Sequence, residues 1–123
     1  MIEIDPGSPV PINEQIKSGL RGLVARGLLK PGDQAPSVRG LAASLKVNPN
    51  TVARAFRELT AEGVLEPRRG DGNYIARQAE RRAQDGLEDA RAGFAEALRQ
   101  ARRAGLGWDE LQKALARERQ EER

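Results

Sequence analysis

The chain contains no cysteine and no histidine. Disulfides, thiol or imidazole catalysis, and metal sites built on those ligands are thereby excluded. Aromatic residues make up only 3% of the 123 residues: Phe56, Tyr74, Phe94 and Trp108. The core must therefore be built from Leu, Val, Ile and Ala. No apolar run approaches the ~18 residues of a membrane span. The opening MIEIDPGSP is acidic and has no signal-peptide features, so the expected location is the cytoplasm. Lysine is scarce too, present only as Lys17, Lys30, Lys46 and Lys113. Basic charge is thus carried by arginine, which suits bidentate contacts to phosphate and guanine. A GC-rich genome would enrich arginine as well. The net charge of +3 is too small to demand a polyanionic partner.

What is present is helical periodicity broken at regular places. In 11–29, Ile12, Ile16, Leu20, Leu23 and Val24 make one apolar face, with Pro11 near the first turn and Gly27 as the cap. KPGDQAP (30–36) reads as turn and extended chain. Ser37 N-caps a short helix, 38–45, with Val38, Leu41, Ala42 and Leu45 on one side. After a turn at Lys46–Val47, a helix runs from 49 to about 62, with Val52, Ala55, Phe56 and Leu59 as its stripe and Gly63 at its end. Helix, tight turn, helix over 37–62 is a helix-turn-helix. VLEP (64–67) and NYIA (73–76) then read as two strands flanking RRGDG, a hairpin "wing".

From Arg77 the texture changes. Residues 78–104 carry a narrow stripe of Ala83, Leu87, Ala90, Phe94, Ala97/Leu98 and Ala101, closer to a heptad seam than to a wide core face. AGLG (104–107) breaks it, and 108–120 forms a last helix with Trp108, Leu111, Ala114 and Leu115 apolar. The charged end RERQEER is expected to fray. The fold class is thus mostly α with a small β-hairpin: a winged helix-turn-helix domain over 1–76 and a two-helix dimerisation domain, an α-helical hairpin, over 77–123. Two chains packing their hairpins into a four-helix cluster would bury both stripes, with Leu87, Phe94, Leu98 and Ala101 as interface residues. The alternative is that the long helix folds back on its own domain.

The chemistry concentrates at VNPNTVARAF (47–56). Asn48 is a favoured N-cap, and Pro49 falls at the first helical position, where it is pre-organised. The helix start is thereby fixed, as major-groove reading requires. Asn50, Thr51 and Arg54 then point away from the apolar stripe, and they are the residue types that read adenine, thymine and guanine edges. Asn48 has a capping role and a DNA-contact role open to it, and so has Ser37. Arg39, opening the first helix of the pair, suits a phosphate. Arg68, Arg69 and Gly70 at the hairpin tip suit a minor groove, or are solvated turn residues. Lys46 is a lesser phosphate candidate.

These pieces resemble the GntR family of bacterial transcription regulators. The resemblance rests on PINEQIKSGL followed by LLKPGDQAPSVRGLAASLKVNPNTVARAFRELTAEGVLEPRRGDGNYI, which covers residues 10–75 almost without a gap. The short tail resembles the YtrA-type subfamily, whose reduced C-terminal domain serves mainly to dimerise. The resemblance implies a homodimer that binds a two-fold symmetric operator in double-stranded DNA, with contacts from Arg39, Asn50, Thr51 and Gly70. Three residues depart from the family pattern: Gly40 where a polar helix former is usual, Asn13 where an aromatic is common, and Asn73 in place of a frequent Thr. The expected function is a sequence-specific DNA-binding repressor, with no cofactor and no metal. The dimer junction near 77–87 is the place left for a small-molecule effector, and nothing in the sequence names one. A winged-helix protein-interaction module is the competing reading, against which Asn50, Thr51 and Arg54 count. An enzyme is the weakest: carboxylates are scattered, and Tyr74 and Ser44 lack an activating partner, so no catalytic residue is assigned.

Overall fold

A computed structural model describes residues 2–121. Five helices and one hairpin follow in the order α1 (Ile12–Ala25), α2 (Val38–Leu45), α3 (Pro49–Ala61), β1 (Leu65–Arg68), β2 (Gly72–Ile75), α4 (Ala79–Arg103) and α5 (Trp108–Glu121). Of the charged tail expected to fray, residues 117–121 are the end of α5, and the last two lie outside the described residues. Two compact units divide within α4, between Leu87 and Glu88.

In the first unit, the apolar faces meet as their spacing requires. Ile16, Leu20 and Val24 of α1 are buried with Val52, Ala55, Phe56 and Leu59 of α3. Leu41 and Ala42 of α2 join the same cluster, and Val64, Leu65 and Ile75 extend it to the hairpin. Each such Leu, Ile or Val side chain contributes roughly 1.5–3 kcal/mol through burial. Ala79 and Ala83 of α4 are also in this core. Ala83, expected in the seam for a second chain, is therefore already spent on its own first unit.

Helix ends are set by short-range hydrogen bonds. α1 ends at Ala25, and Gly27, expected as the cap, lies just past it at φ +75°. The Leu28 N–H reaches back to the Leu23 carbonyl at 2.9 Å and closes the helix, leaving Leu28 exposed. α3 is closed in the same way, by Val64 N–H to the Leu59 carbonyl at 2.9 Å, with Gly63 at φ +81°. That left-handed conformation costs a side-chain-bearing residue about 1–2 kcal/mol. At the end of α2 the equivalent position is taken by Lys46, at φ 58°. There Val47 N–H bonds the Ala42 carbonyl at 3.0 Å, so the tight turn of the helix pair is made without glycine.

The hairpin is antiparallel, pairing Leu65 with Ile75, Glu66 with Tyr74, Pro67 with Asn73 and Arg68 with Gly72. Both strands are displaced by one residue from the sequence reading of 64–67 and 73–76. Val64 and Ala76 continue the apolar pattern, and they are joined by Ala76 N–H to the Val64 carbonyl at 2.9 Å. KPGDQAP does more than turn. Its backbone lies beside β2: Gly32 N–H bonds the Ile75 carbonyl, Ile75 N–H the Asp33 carbonyl, and Ala35 N–H the Asn73 carbonyl, at 2.8–2.9 Å. β2 is therefore held on both edges.

A charged cluster ties α1 to α3. Lys17 is only 6% exposed. Its ammonium lies 2.6 Å from Glu62, 3.3 Å from Glu58 and 3.5 Å from Glu14. Asn13, also buried, donates to Glu58 at 2.8 Å, and Arg21 reaches Glu62 at 2.8 Å. The hydrogen bond to Glu62 is the main reason the Lys17 pKa is raised above its ordinary value, against the opposing effect of burial. Burial pushes the Glu58 carboxyl upward, but hydrogen bonds from Lys17 and Asn13 outweigh it and leave its pKa lowered.

In the second unit, no residue of α5 is buried among the described residues. Leu98 and Ala101 of α4 are half-buried, whereas Phe94 is 64% and Trp108 57% exposed. The Arg102 guanidinium lies 4.4 Å from the Trp108 ring centre and donates to the Leu106 carbonyl at 3.0 Å, bracing the connection.

The Glu58 contribution is present above its unfolded pKa near 4.5 and is lost as pH falls through the lowered folded value. The Lys17 contribution is present below 10.5 and is lost only as pH rises past the raised value. Stability should fall on acidification below pH 4.5, measured by thermal melting across pH. Lys17→Met should cost about 1–2 kcal/mol at neutral pH, less than for a fully buried pair because Glu58 and Glu62 keep access to water, and should flatten the acid limb.

Candidate nucleic-acid interface

α3 begins where its first two residues dictate. The Asn48 side-chain oxygen accepts the Asn50 N–H at 2.8 Å, and its carbonyl accepts from Thr51 at 3.0 Å and Val52 at 3.3 Å. Pro49 occupies the first helical position, with no N–H to leave unsatisfied. Asn48 thus takes the capping role. Directly after it, Asn50 is exposed and Thr51 half-buried. Arg54 is 67% exposed, and its Nε lies 3.2 Å from Glu58 of the α1–α3 cluster.

α2 starts in the same manner. The Ser37 hydroxyl accepts the Gly40 N–H at 3.0 Å. A side chain at Gly40 would place its Cβ 2.8 Å from that hydroxyl, so the glycine that departs from the family pattern gives the cap its room. Arg39 is exposed on the first turn of α2.

The wing residues are redistributed because both strands reach one residue further toward the turn than expected. Arg69 and Gly70 lie in the turn, Gly70 with φ +73°. Arg68 is not at the tip as expected: it is the last residue of β1, paired with Gly72. Its guanidinium carbon lies 3.9 Å from the centre of the Tyr74 ring. The Tyr74 hydroxyl in turn donates to the Asp71 carboxylate at 2.6 Å. Sequence reasoning missed Tyr74, Asp71 and Gln34, whose amide donates to the Asp71 carbonyl at 3.1 Å. It also missed Lys17 and the partner role of Asn13. The signal available for Asn13 was its departure from an aromatic position; the others gave none, because their partners come from the fold.

A helix pair with a capped, polar entry to its second helix, followed by a pinned hairpin, is the frame of a winged helix-turn-helix protein. Comparison with known sequences gives the family. The sequence model described as bacterial regulatory proteins, gntR family, matches residues 12–75, and the chain belongs to the GntR family. The chain is 51% identical over 79 residues to the HTH-type transcriptional repressor YtrA of Bacillus subtilis. That match covers 64% of this chain and 61% of the relative. Among solved structures, a transcriptional antiterminator from Listeria monocytogenes EGD-e is 32% identical with a TM-score of 0.69, covering 98% of this chain and 90% of that one. YtrA from Sulfolobus acidocaldarius, a GntR-family transcription factor, is 30% identical with a TM-score of 0.57, covering 98% and 97%. Among the described residues no helix is long and apolar enough to cross a membrane.

Asn48→Ala should destabilise the chain by about 1 kcal/mol, whereas Asn48→Ser should be nearly neutral, because serine restores the capping oxygen. Urea unfolding of the two variants checks this.

Proposed function

We propose that the chain is a sequence-specific DNA-binding repressor of transcription that acts as a homodimer on an operator with two-fold symmetry. The observation that carries the reading is the entry of α3: Asn48 is occupied as the cap and Asn50 is left exposed one step later. In this reading α3 enters the major groove. Asn50 pairs with an adenine edge, Thr51 meets a neighbouring base, and Arg54 reaches a guanine. Ser37 and Arg39 take phosphates at the start of α2, where the first helix of the pair crosses the backbone. Arg68, Arg69 and Gly70 approach the minor groove. The identity to the B. subtilis repressor supports the sense of regulation.

The uncovered faces of the second unit support the dimer. Phe94, Leu106, Trp108 and Leu115 are all exposed. Leu87, Leu98 and Ala101 complete the proposed interface with Phe94. A second copy supplies the same stripes, and packing them as a four-helix cluster removes them from water. Two-fold symmetry then places half-sites about one helical turn apart, ~34–36 Å.

Two measurements follow from this reading. A duplex selected from random DNA by the wild-type chain should bind far more tightly than unselected DNA at matched salt. Asn50→Ala should lose about 1–3 kcal/mol on that duplex and discriminate less at one base pair per half-site, whereas Arg69→Ala should weaken all duplexes alike and lower the salt slope by about 1. Equal binding of selected and random DNA contradicts a specific reader. Phe94→Glu should convert a dimer to a monomer by light scattering and weaken binding to the two-half-site duplex; an unchanged mass contradicts the interface.

A further inference from the structure

The two arginines of the wing have different surroundings. Arg69 is an exposed turn residue. Arg68 is a strand residue laid on an aromatic ring. The register makes Arg68 and Tyr74 diagonal neighbours on one face of the hairpin, since Arg68 pairs with Gly72 and Tyr74 with Glu66. Gly72 adds no side chain to that face. The guanidinium can therefore settle over the ring, at 3.9 Å from its centre. The Glu66 carboxylate lies 4.0 Å from Arg68 and flanks it.

The ring is held at its far end by the 2.6 Å hydrogen bond from the Tyr74 hydroxyl to Asp71. That bond is the main reason the hydroxyl titrates above its ordinary value, so it remains a donor throughout the neutral range. Asp71 is itself tied down. Its N–H donates to the Arg68 carbonyl at 3.0 Å, and its carbonyl accepts from Gln34. Gln34 also bridges to Tyr74 through the backbone. The chain of contacts runs from segment 32–35, through Asp71 and Tyr74, to Arg68.

We propose that Tyr74 is a positioning residue for DNA binding, which presents the Arg68 guanidinium in a set direction on the wing, with Asp71 as the lock on its ring. The proposal rests on the DNA-binding reading above. A free arginine side chain forfeits rotamer entropy when it is fixed. Stacking on the ring removes part of that loss before DNA arrives. A cation–π contact at an exposed site is worth about 0.5–1 kcal/mol, or about two- to fivefold in affinity.

The test is a double-mutant cycle on the duplex that the wild-type chain selects from random DNA, at one salt concentration, with melting of each variant recorded. Tyr74→Ala should weaken binding by about two- to fivefold. In the Arg68→Ala background the same change should have no further effect. Tyr74→Phe keeps the ring but loses its bond to Asp71, so it should fall between the wild type and Tyr74→Ala, level with Asp71→Ala. Should Tyr74→Ala melt early, Asp71→Ala carries the same cycle, since it frees the ring without removing it. A loss of equal size in the Arg68→Ala background overturns the proposal, because Tyr74 then acts without Arg68. So does unchanged or tighter binding by Tyr74→Ala. Failure of the wild-type chain to select any duplex removes the DNA-binding reading and this proposal together; selection with an additive cycle removes this proposal alone.

Discussion

Lys17 sits almost without access to water between α1 and α3, with three carboxylates around its ammonium. The rest of the first unit depends on how that contact and the apolar stripe divide their work. The stripe of Val52, Ala55, Phe56 and Leu59 supplies most of the stabilisation, but burial is non-directional and leaves a helix some freedom to roll. The hydrogen bonds from Lys17 and Asn13 to Glu58, and from Lys17 and Arg21 to Glu62, are directional. They constrain one flank of α3. With the stripe inward and that flank turned to α1, Asn50 and Arg54 are left facing water. Glu58 is the joint of this arrangement, since it also meets Arg54.

The height of α3 is set separately from its roll. Asn48 and Pro49 decide at which residue the helix begins, and the bond from Val64 to Leu59 decides where it ends. The same ending delivers the chain into β1, so the hairpin inherits its position from α3. β2 is then pinned from its other edge by residues 32–35, the segment that leads into α2. α3, the hairpin and the entry to α2 are thus parts of one hydrogen-bonded frame.

Much of this frame was legible in the sequence, and the gaps have physical reasons. The i, i+4 ladder from Ile12 to Val24 and the stripe from Val52 to Leu59 announce their helices because each buries a single face. Asn48–Pro49 announces a helix start because capping is a local interaction. Lys17 could not be found that way. Its partners Glu58 and Glu62 lie forty or so residues along the chain and meet it only after α1 and α3 pack. The pairing of 32–35 with β2 was hidden by a segment dense in turn residues. The pairing of the strands is the expected one, but their bounds lie one residue nearer the turn: Val64 and Ala76 are buried like strand residues yet fall outside the strands, and Arg68 pairs with Gly72 instead of standing at the tip. The stripe on α4 read as one seam, yet Ala83 is buried in the first unit while Phe94 is exposed. Periodicity tells which side of a helix is apolar, not which neighbour covers each turn.

The central claim is that the cap, the stripe and the Lys17 cluster together present Asn50 to a base edge. A crystal structure of the chain bound to its selected duplex tests this most directly. The account predicts α3 in the major groove, with the Asn48 cap intact and the Asn50 amide within hydrogen-bond distance of a base. A complex in which α3 lies outside the groove, or in which Asn50 faces solvent while another element reads the bases, would contradict it.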